Sequence, residues 1–369
     1  MPDTLILDAD VTPEAFRQWR DARRGTRPAE NLTNPYWTWL IRSGESAWAA
    51  NEHFGEPSSF GGHPAWSAER FGQSTTLLPD GRTLLVAGEH EDYYDADFFI
   101  YNDLFIHHPD GRLEILGYPA EIFPPTDFHS ATLVDGKLVL IGNLGYPEQR
   151  AVGKTQILVL DPANWEVRWQ ESTGGGPGWI HGHKATAEGG FIVVRGGEVW
   201  TAAGAGLVEN FDDWRLHPNT WNWERLTRRR VTVLEFLRED GEPNRLFEMG
   251  TWLFNQRHKV SDVDDIMKDL DPAIKEEMAG VAPQDRDAFE RRFQPDEVEH
   301  RPLPKSEEHC EQHIEVNGVR VRYADEMNSV RLTIEGELPT AIVDLLRDDL
   351  RTKLERIEGA NYEVRTLLP

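Results

Sequence analysis

Three histidines stand out by spacing. His129 lies near the start of the stretch FHSATLVDGKLVLIG, and His183 holds the same place in HGHKATAEGGFIVVRG, 54 residues further on. His181 precedes His183 by two positions. In an extended strand, side chains at i and i+2 point the same way, which suits two imidazoles to one metal ion. The run GEHEDYYDADFFIYND, residues 88–103, is the densest acidic cluster of this part of the chain. Its Glu89, Glu91, Asp92, Asp95, Asp97 and Asp103 supply hard oxygen ligands of the kind Ca²⁺ or Mg²⁺ takes, with the His90 imidazole among them, although no EF-hand frame fits. Glu89, His90, Asp92, His181 and His183 are therefore the candidate ligands of a divalent metal, with His129 beside them; which cofactor, if any, stays open. Two plainer readings compete with this one. Charge runs are commonly solvated loops, and a histidine at a repeated position can serve hydrogen bonds between neighbouring sheets.

The elements that must carry these residues are short strands. GQSTTLLPDGRTLLVAGE from Gly72, FHSATLVDGKLVLIGN from Phe128 and GHKATAEGGFIVVRGG from Gly182 align as strand, tight turn, apolar strand and closing glycine. Gln73, His129 and His183 fall on one position of the repeat, and Gly88, Gly142 and Gly196 on another. The second halves, LFIHHPDGRLEIL, ILVLDPANWEVRW and WRLHPNTWNWERL, each give a strand, a turn at Pro109, Pro162 or Pro218, and a last strand; Trp165 and Trp221 follow their prolines by three residues. Four short strands per unit of about 50 residues is the pattern of a propeller blade.

This pattern resembles the kelch repeat, over residues 71–226. The resemblance implies a partial or small β-propeller whose first strands run innermost, so that Gln73, His129 and His183 converge near its axis. A ring needs at least about four blades. RVTVLEFLREDGEPNRLFEMGTWLF, residues 230–254, reads as a hairpin that caps or completes the arc with strands from the first 70 residues; a homodimer of two arcs is the alternative. The copper-radical oxidases that bear kelch repeats require a cysteine near the axis, and the one cysteine, Cys310, lies outside the repeats.

The fold class is thus mainly β with an α+β tail. Residues 1–54 read as a helical segment, in which Thr12-Pro13 makes an N-cap and first helical turn. Residues 55–254 carry the blades and capping hairpin, 255–312 an acidic helical linker, and 313–369 a small α+β domain with a hairpin turn at Asn317-Gly318. Lys and Arg total 39 against 64 Asp and Glu, a net charge of −25, which opposes phosphate backbones and anionic membranes. Neither nucleic acid nor a membrane is expected as a partner. No apolar run is long enough to span a bilayer, and a single cysteine fits the reducing cytoplasm.

No Walker A, G-x-S-x-G or dinucleotide-binding motif is present. The leading expectation is a cytoplasmic binding protein that recognises a protein or a small molecule through its blade loops, with Gln73, Tyr93, Tyr94, His129, Asn143, Tyr146, Trp179 and Arg195 as ligand-binding residues. The rival is a metal-assisted hydrolase, lyase or isomerase that uses the His and acidic residues.

Overall fold

Thr12 accepts a hydrogen bond from the Ala15 N–H and opens helix α1 (Pro13–Trp19). Strand β1 (Glu30–Asn31) follows, then α2 (Pro35–Ser43), capped by Asn34, and α3 (Ala47–Phe54), capped by Ser46. The computed structural model describes residues 11–55, 63–91, 98–201, 206–244, 247, 293–304 and 311–368. They form two units, the first ending at Thr227 and the second beginning at Arg228.

In the first unit β2 (Ser74–Leu77), β3 (Thr83–Val86), a side ladder of β4 (Glu89–His90) with β5 (Phe99–Ile100), β6 (Asp103–His107) and β7 (Leu113–Gly117) follow in order. β2, β3, β6 and β7 make one antiparallel sheet, and β1 adds outside β7. The second sheet is β8 (Ser130–Val134), β9 (Lys137–Ile141), β10 (Ile157–Asp161) and β11 (Glu166–Trp169). Next come β12 (Trp179–His181), β13 (Lys184–Glu188), β14 (Phe191–Arg195), β15 (Glu198–Trp200), β16 (Leu207–Glu209), β17 (Trp214–His217) and β18 (Asn222–Arg225). Of these, β13, β14, β17 and β18 form the third four-stranded sheet, and β12, β15 and β16 a smaller one beside it.

The two-residue period of the strands explains the stacking. On β9, Leu138 and Leu140 pack with Leu84, Val86, Leu104 and Ile106 of the first sheet, while Val139 and Ile141 pack with Ile192, Val194 and Leu216 of the third. The outer face of the first sheet is covered by the helices: Phe105 and Ile115 pack with Phe16, Tyr36, Trp37 and Trp66. A buried ion pair locks this corner. Arg70 is bonded to both carboxylate oxygens of Asp103 and lies 3.4 Å over the Tyr101 ring, and Trp66 donates to Asp103 Oδ2 at 3.3 Å. The outer face of the third sheet is polar instead. Arg195 pairs with Glu188 at 2.7 Å and Asp213 at 3.4 Å, and Arg215 pairs with Glu224 at 2.6 Å.

Of the expected capping hairpin, residues 230–254, the structure describes 230–244 and 247. β19 (Thr232–Arg238) belongs to the second unit, between β23 (Ser329–Glu335) and β24 (Tyr362–Leu368), in a sheet completed by β20 (Arg301–Pro302), β21 (Glu311–Val316) and β22 (Val319–Asp325). The reason lies in its side chains: Leu234 and Phe236 enter the core that Val321, Tyr323, Leu332 and Ile334 share with Leu346, Leu350 and Leu354 of α4 (Thr340–Glu358). The second unit, to which β19 belongs, begins at Arg228. Asn317 and Gly318 turn the β21–β22 hairpin with φ of 50° and 80°. Residues 251–292 and 305–310, which include most of the expected acidic linker, lie outside the described residues. Among the described residues no helix is long and apolar enough to cross a membrane.

Candidate functional site

Strand pairing fixes which residues of the three repeats correspond. Ser74 faces Val86, Ser130 faces Ile141, and Lys184 faces Arg195. Gln73, His129 and His183 are therefore equivalent, each immediately before the first strand of its sheet. The glycine alignment needs a shift of one. The turn between β2 and β3 is longer than its counterparts, so Ala87, with φ of 53°, occupies the position of Gly142 (80°) and Gly196 (63°).

One residue earlier, Gly72, Phe128 and Gly182 share left-handed backbones with φ of 61°, 46° and 63°. They link the repeats sideways: the Phe128 N–H donates to the Gly72 carbonyl at 3.0 Å and the Gly182 N–H to the Phe128 carbonyl at 2.8 Å. A non-glycine residue in this region is strained, and such strain gathers at functional sites. One position earlier again, Phe71, Asp127 and His181 are equivalent. Each pairs through its backbone with the residue three beyond the second strand: Phe71 with Glu89, Asp127 with Leu144, and His181 with Glu198. Successive repeats thus present the same two positions at the same end of the unit.

The side chains there form one connected group. His129 Nε2 lies 2.8 Å from Ser74 Oγ and His183 Nε2 lies 2.8 Å from Ser130 Oγ, so each imidazole ties its sheet to the one before. Those two rings do not stand as a free pair of metal ligands. Their Nδ1 atoms, both nitrogens of His181 and Asp127 Oδ2 are nevertheless buried without a hydrogen-bond partner among the described residues. His181 Nε2 has Glu198 Oε2 at 3.6 Å, beyond hydrogen-bond length. Burial pushes His129 and His181 down to about 4, and His183 down to about 3 with help from the two neighbouring imidazoles. All three are neutral at physiological pH.

Around them, Asp127 Oδ1 accepts from the Gly145 N–H at 2.7 Å, yet burial still holds its carboxyl above the usual range. Glu89 is pushed up to about 7, first by burial and then by Asp127 and Glu91. Arg150, whose charge acts on both Asp127 and His181, donates to the carbonyls of Leu144 at 3.0 Å and Gly145 at 3.1 Å and lies 5.0 Å from the Trp200 ring. Close backbone approach at Gly142 and Gly197 sets the depth of the group. A Cβ at Gly142 would fall 2.3 Å from the Ile180 carbonyl, and one at Gly197 2.4 Å from that of His181.

Several expected residues are used otherwise. Asn143 is a backbone clamp, accepting from the Asp127 N–H at 2.9 Å and donating to the Pro125 carbonyl at 2.9 Å. Trp179 is buried and donates to the Leu144 carbonyl at 3.1 Å, and Gln73 donates to the Ala87 carbonyl at 3.2 Å. Tyr146 accepts from the Ile100 N–H at 3.0 Å, which puts its hydroxyl beside the β4–β5 ladder that holds Glu89. Arg195 is spent on the ion pairs of the third sheet, and His90 Nδ1 bonds the Glu69 carbonyl at 2.9 Å. Asp92, Tyr93 and Tyr94 lie outside the described residues. Among the described residues no group of three or more His, Cys, Asp or Glu side chains is placed to hold a metal ion, and Asp92 of the expected set lies outside them. Asp127, Arg150 and Glu198 were not among the expected residues. The signal that finds Asp127 and Glu198 is the repeat register, two positions before the histidine and three beyond the second strand.

No protein-family model matches the chain, and no curated protein matches it. Among solved structures, that of YjhT is similar at a TM-score of 0.33 and 15% identity, over 45% of this chain and 55% of that one. The match thus spans little more than half of YjhT.

Proposed function

We propose that the first unit is an open, three-bladed kelch-like arc that works in the cytoplasm as a binding protein, taking a polar ligand at the end where Glu89, Asp127, His181, His183 and Arg150 meet. One observation carries this reading. Five buried polar atoms, on Asp127, His129, His181 and His183, have no hydrogen-bond partner among the described residues. Each such atom costs about 1–3 kcal/mol while unsatisfied, so a group that hydrogen-bonds them gains that amount back. The half-buried Glu89, Tyr146 and Arg150 beside them supply recognition. The lack of nucleotide-binding and nucleophile-elbow motifs supports binding over catalysis. The unpartnered imidazole nitrogens are what favour the second reading, a metal-assisted enzyme; the absence of any three-residue ligand group among the described residues weighs against it.

A thermal-shift screen of the whole protein with small polar compounds, peptides and divalent ions tests both. A ligand that raises the midpoint in the wild type but not in Asp127→Asn or His181→Phe supports the proposal. A midpoint raised by Zn²⁺, Mn²⁺ or Ca²⁺ alone, and lowered by chelators, would replace it with the metal reading.

A further inference from the structure

The ligand's chemistry can be narrowed, on the footing of the site just proposed. The two repeated positions deliver carboxylates: Glu89 at the first repeat, Asp127 at the second and Glu198 at the third. The Arg150 guanidinium acts on Asp127, and its Nε and one terminal nitrogen already donate to the Leu144 and Gly145 carbonyls. Asp127 Oδ2 is an acceptor without a donor among the described residues, and it is buried. At His181 the ring nitrogen nearer a carboxylate is Nε2, 3.6 Å from Glu198. A proton there leaves Nδ1, also buried and unpartnered, as a second acceptor. Both atoms accept, so the group that satisfies them donates hydrogen bonds.

Aromatic rings flank the carboxylates. Phe71, bridged to Glu89, is 58% exposed, Trp200 pairs with Trp179 on the His181–Glu198 ladder, and Tyr146 reaches the Glu89 strand. Of these rings Phe71 is the exposed one, and a carboxylate beside an exposed ring recognises cations that donate hydrogen bonds. The net charge of −25 draws such cations in and repels anions.

We infer that the end of the arc formed by Glu89, Asp127, His181 and Glu198 binds an ammonium or guanidinium group, carried by a small polyamine-like molecule or by a basic side chain of a protein partner. The donor bonds Asp127 Oδ2 and His181 Nδ1, and Glu89 and Glu198 balance its charge. Rejection of anions follows from the same three carboxylates.

The test uses the intact protein, with agmatine and an arginine-rich peptide as cationic probes, glucose as a neutral one and citrate as an anionic one. Side-chain NMR signals of His181 and His183 report the site, and calorimetry gives affinity. Agmatine or the peptide should move both signals, with affinity falling about tenfold in Asp127→Asn, whose remaining oxygen still accepts from Gly145, and falling again as salt is raised. Glu89→Gln, on a different strand, should weaken binding in the same direction. A response to agmatine assigns the cation to a small molecule; a response to the peptide alone assigns it to a partner protein. If glucose or citrate moves the histidine signals and neither cation does, the ligand class is wrong while the binding site stands. If no probe moves them, the inference fails.

Discussion

Ser130 Oγ lies 2.8 Å from His183 Nε2, one repeat on from an equal contact between Ser74 Oγ and His129 Nε2. The histidine that looks chemical in the sequence is first a fastener between sheets, and its Nδ1 is buried without a partner among the described residues. Ser130→Ala removes the partner of a buried imidazole nitrogen. It should cost about 1–3 kcal/mol in urea unfolding of the first unit, more than a hydroxyl deletion at the exposed Thr186. Equal, negligible costs at the two positions would deny Ser130 this role.

The same burial makes the first unit sensitive to acid. His129, His181 and His183 hold about 4, about 4 and about 3 when folded, against an ordinary 6.5. The unfolded chain binds their protons first as pH falls. Stability is therefore complete above 6.5 and is lost progressively between 6.5 and about 4, with His129 alone contributing on the order of 3 kcal/mol. Chemical denaturation of the first unit across that range should show the slope, and His129→Gln should flatten part of it. A wild-type profile that stays level there contradicts the burial argument.

Asp103 and Arg70 form the enclosed ion pair behind the first sheet, with side chains 3% and 0% exposed. Asp103→Asn leaves a guanidinium buried among Trp66, Tyr101 and Phe105 with no counter-charge. About 3–5 kcal/mol should be lost on unfolding, because breaking one side of a buried pair strands the other. A loss below about 1 kcal/mol would mean that the pair is hydrated.

Asp325, at the end of β22, responds to pH in the opposite sense. Burial, and then Glu358 at the end of α4, push its carboxyl up to about 8 from an ordinary 3.8, and its Oδ1 has no hydrogen-bond partner among the described residues. Arg238 faces Glu358 at 3.4 Å and Asp240 at 2.6 Å, and the Tyr362 hydroxyl donates to Asn244 Oδ1 at 2.5 Å in the same corner. The folded second unit keeps the proton that the unfolded chain gives up. Its stability should fall as pH rises from about 4 to about 8 and then level off. In Asp325→Asn that decline should shrink and stability at alkaline pH should increase; an unchanged slope would place the titrating group elsewhere.

Much of the fold was legible because turn chemistry and strand alternation repeat. The Asp135-Gly136 and Asn317-Gly318 turns, the equivalence of Gln73, His129 and His183, and the Thr12 cap can each be read from residue type alone. β19 could not, since an alternating apolar strand fits any sheet, and only the packing of Leu234 and Phe236 with α4 decides its partner. One extra turn residue before β3 moved the first repeat's closing position from Gly88 to Ala87, which hid the match of Glu89 with Glu198. Asn143, Trp179 and Arg195 have the side chains of ligand contacts, but satisfying backbone groups and a neighbouring carboxylate claims them first.

The central claim is that Asp127 and His181 hold acceptor atoms for a ligand rather than for the chain. A crystal structure at neutral pH, at a resolution that shows bound water, tests it directly. The account predicts water or ligand density at hydrogen-bond distance from both Asp127 Oδ2 and His181 Nδ1. Density-free contact of both atoms with groups of the protein itself would contradict it.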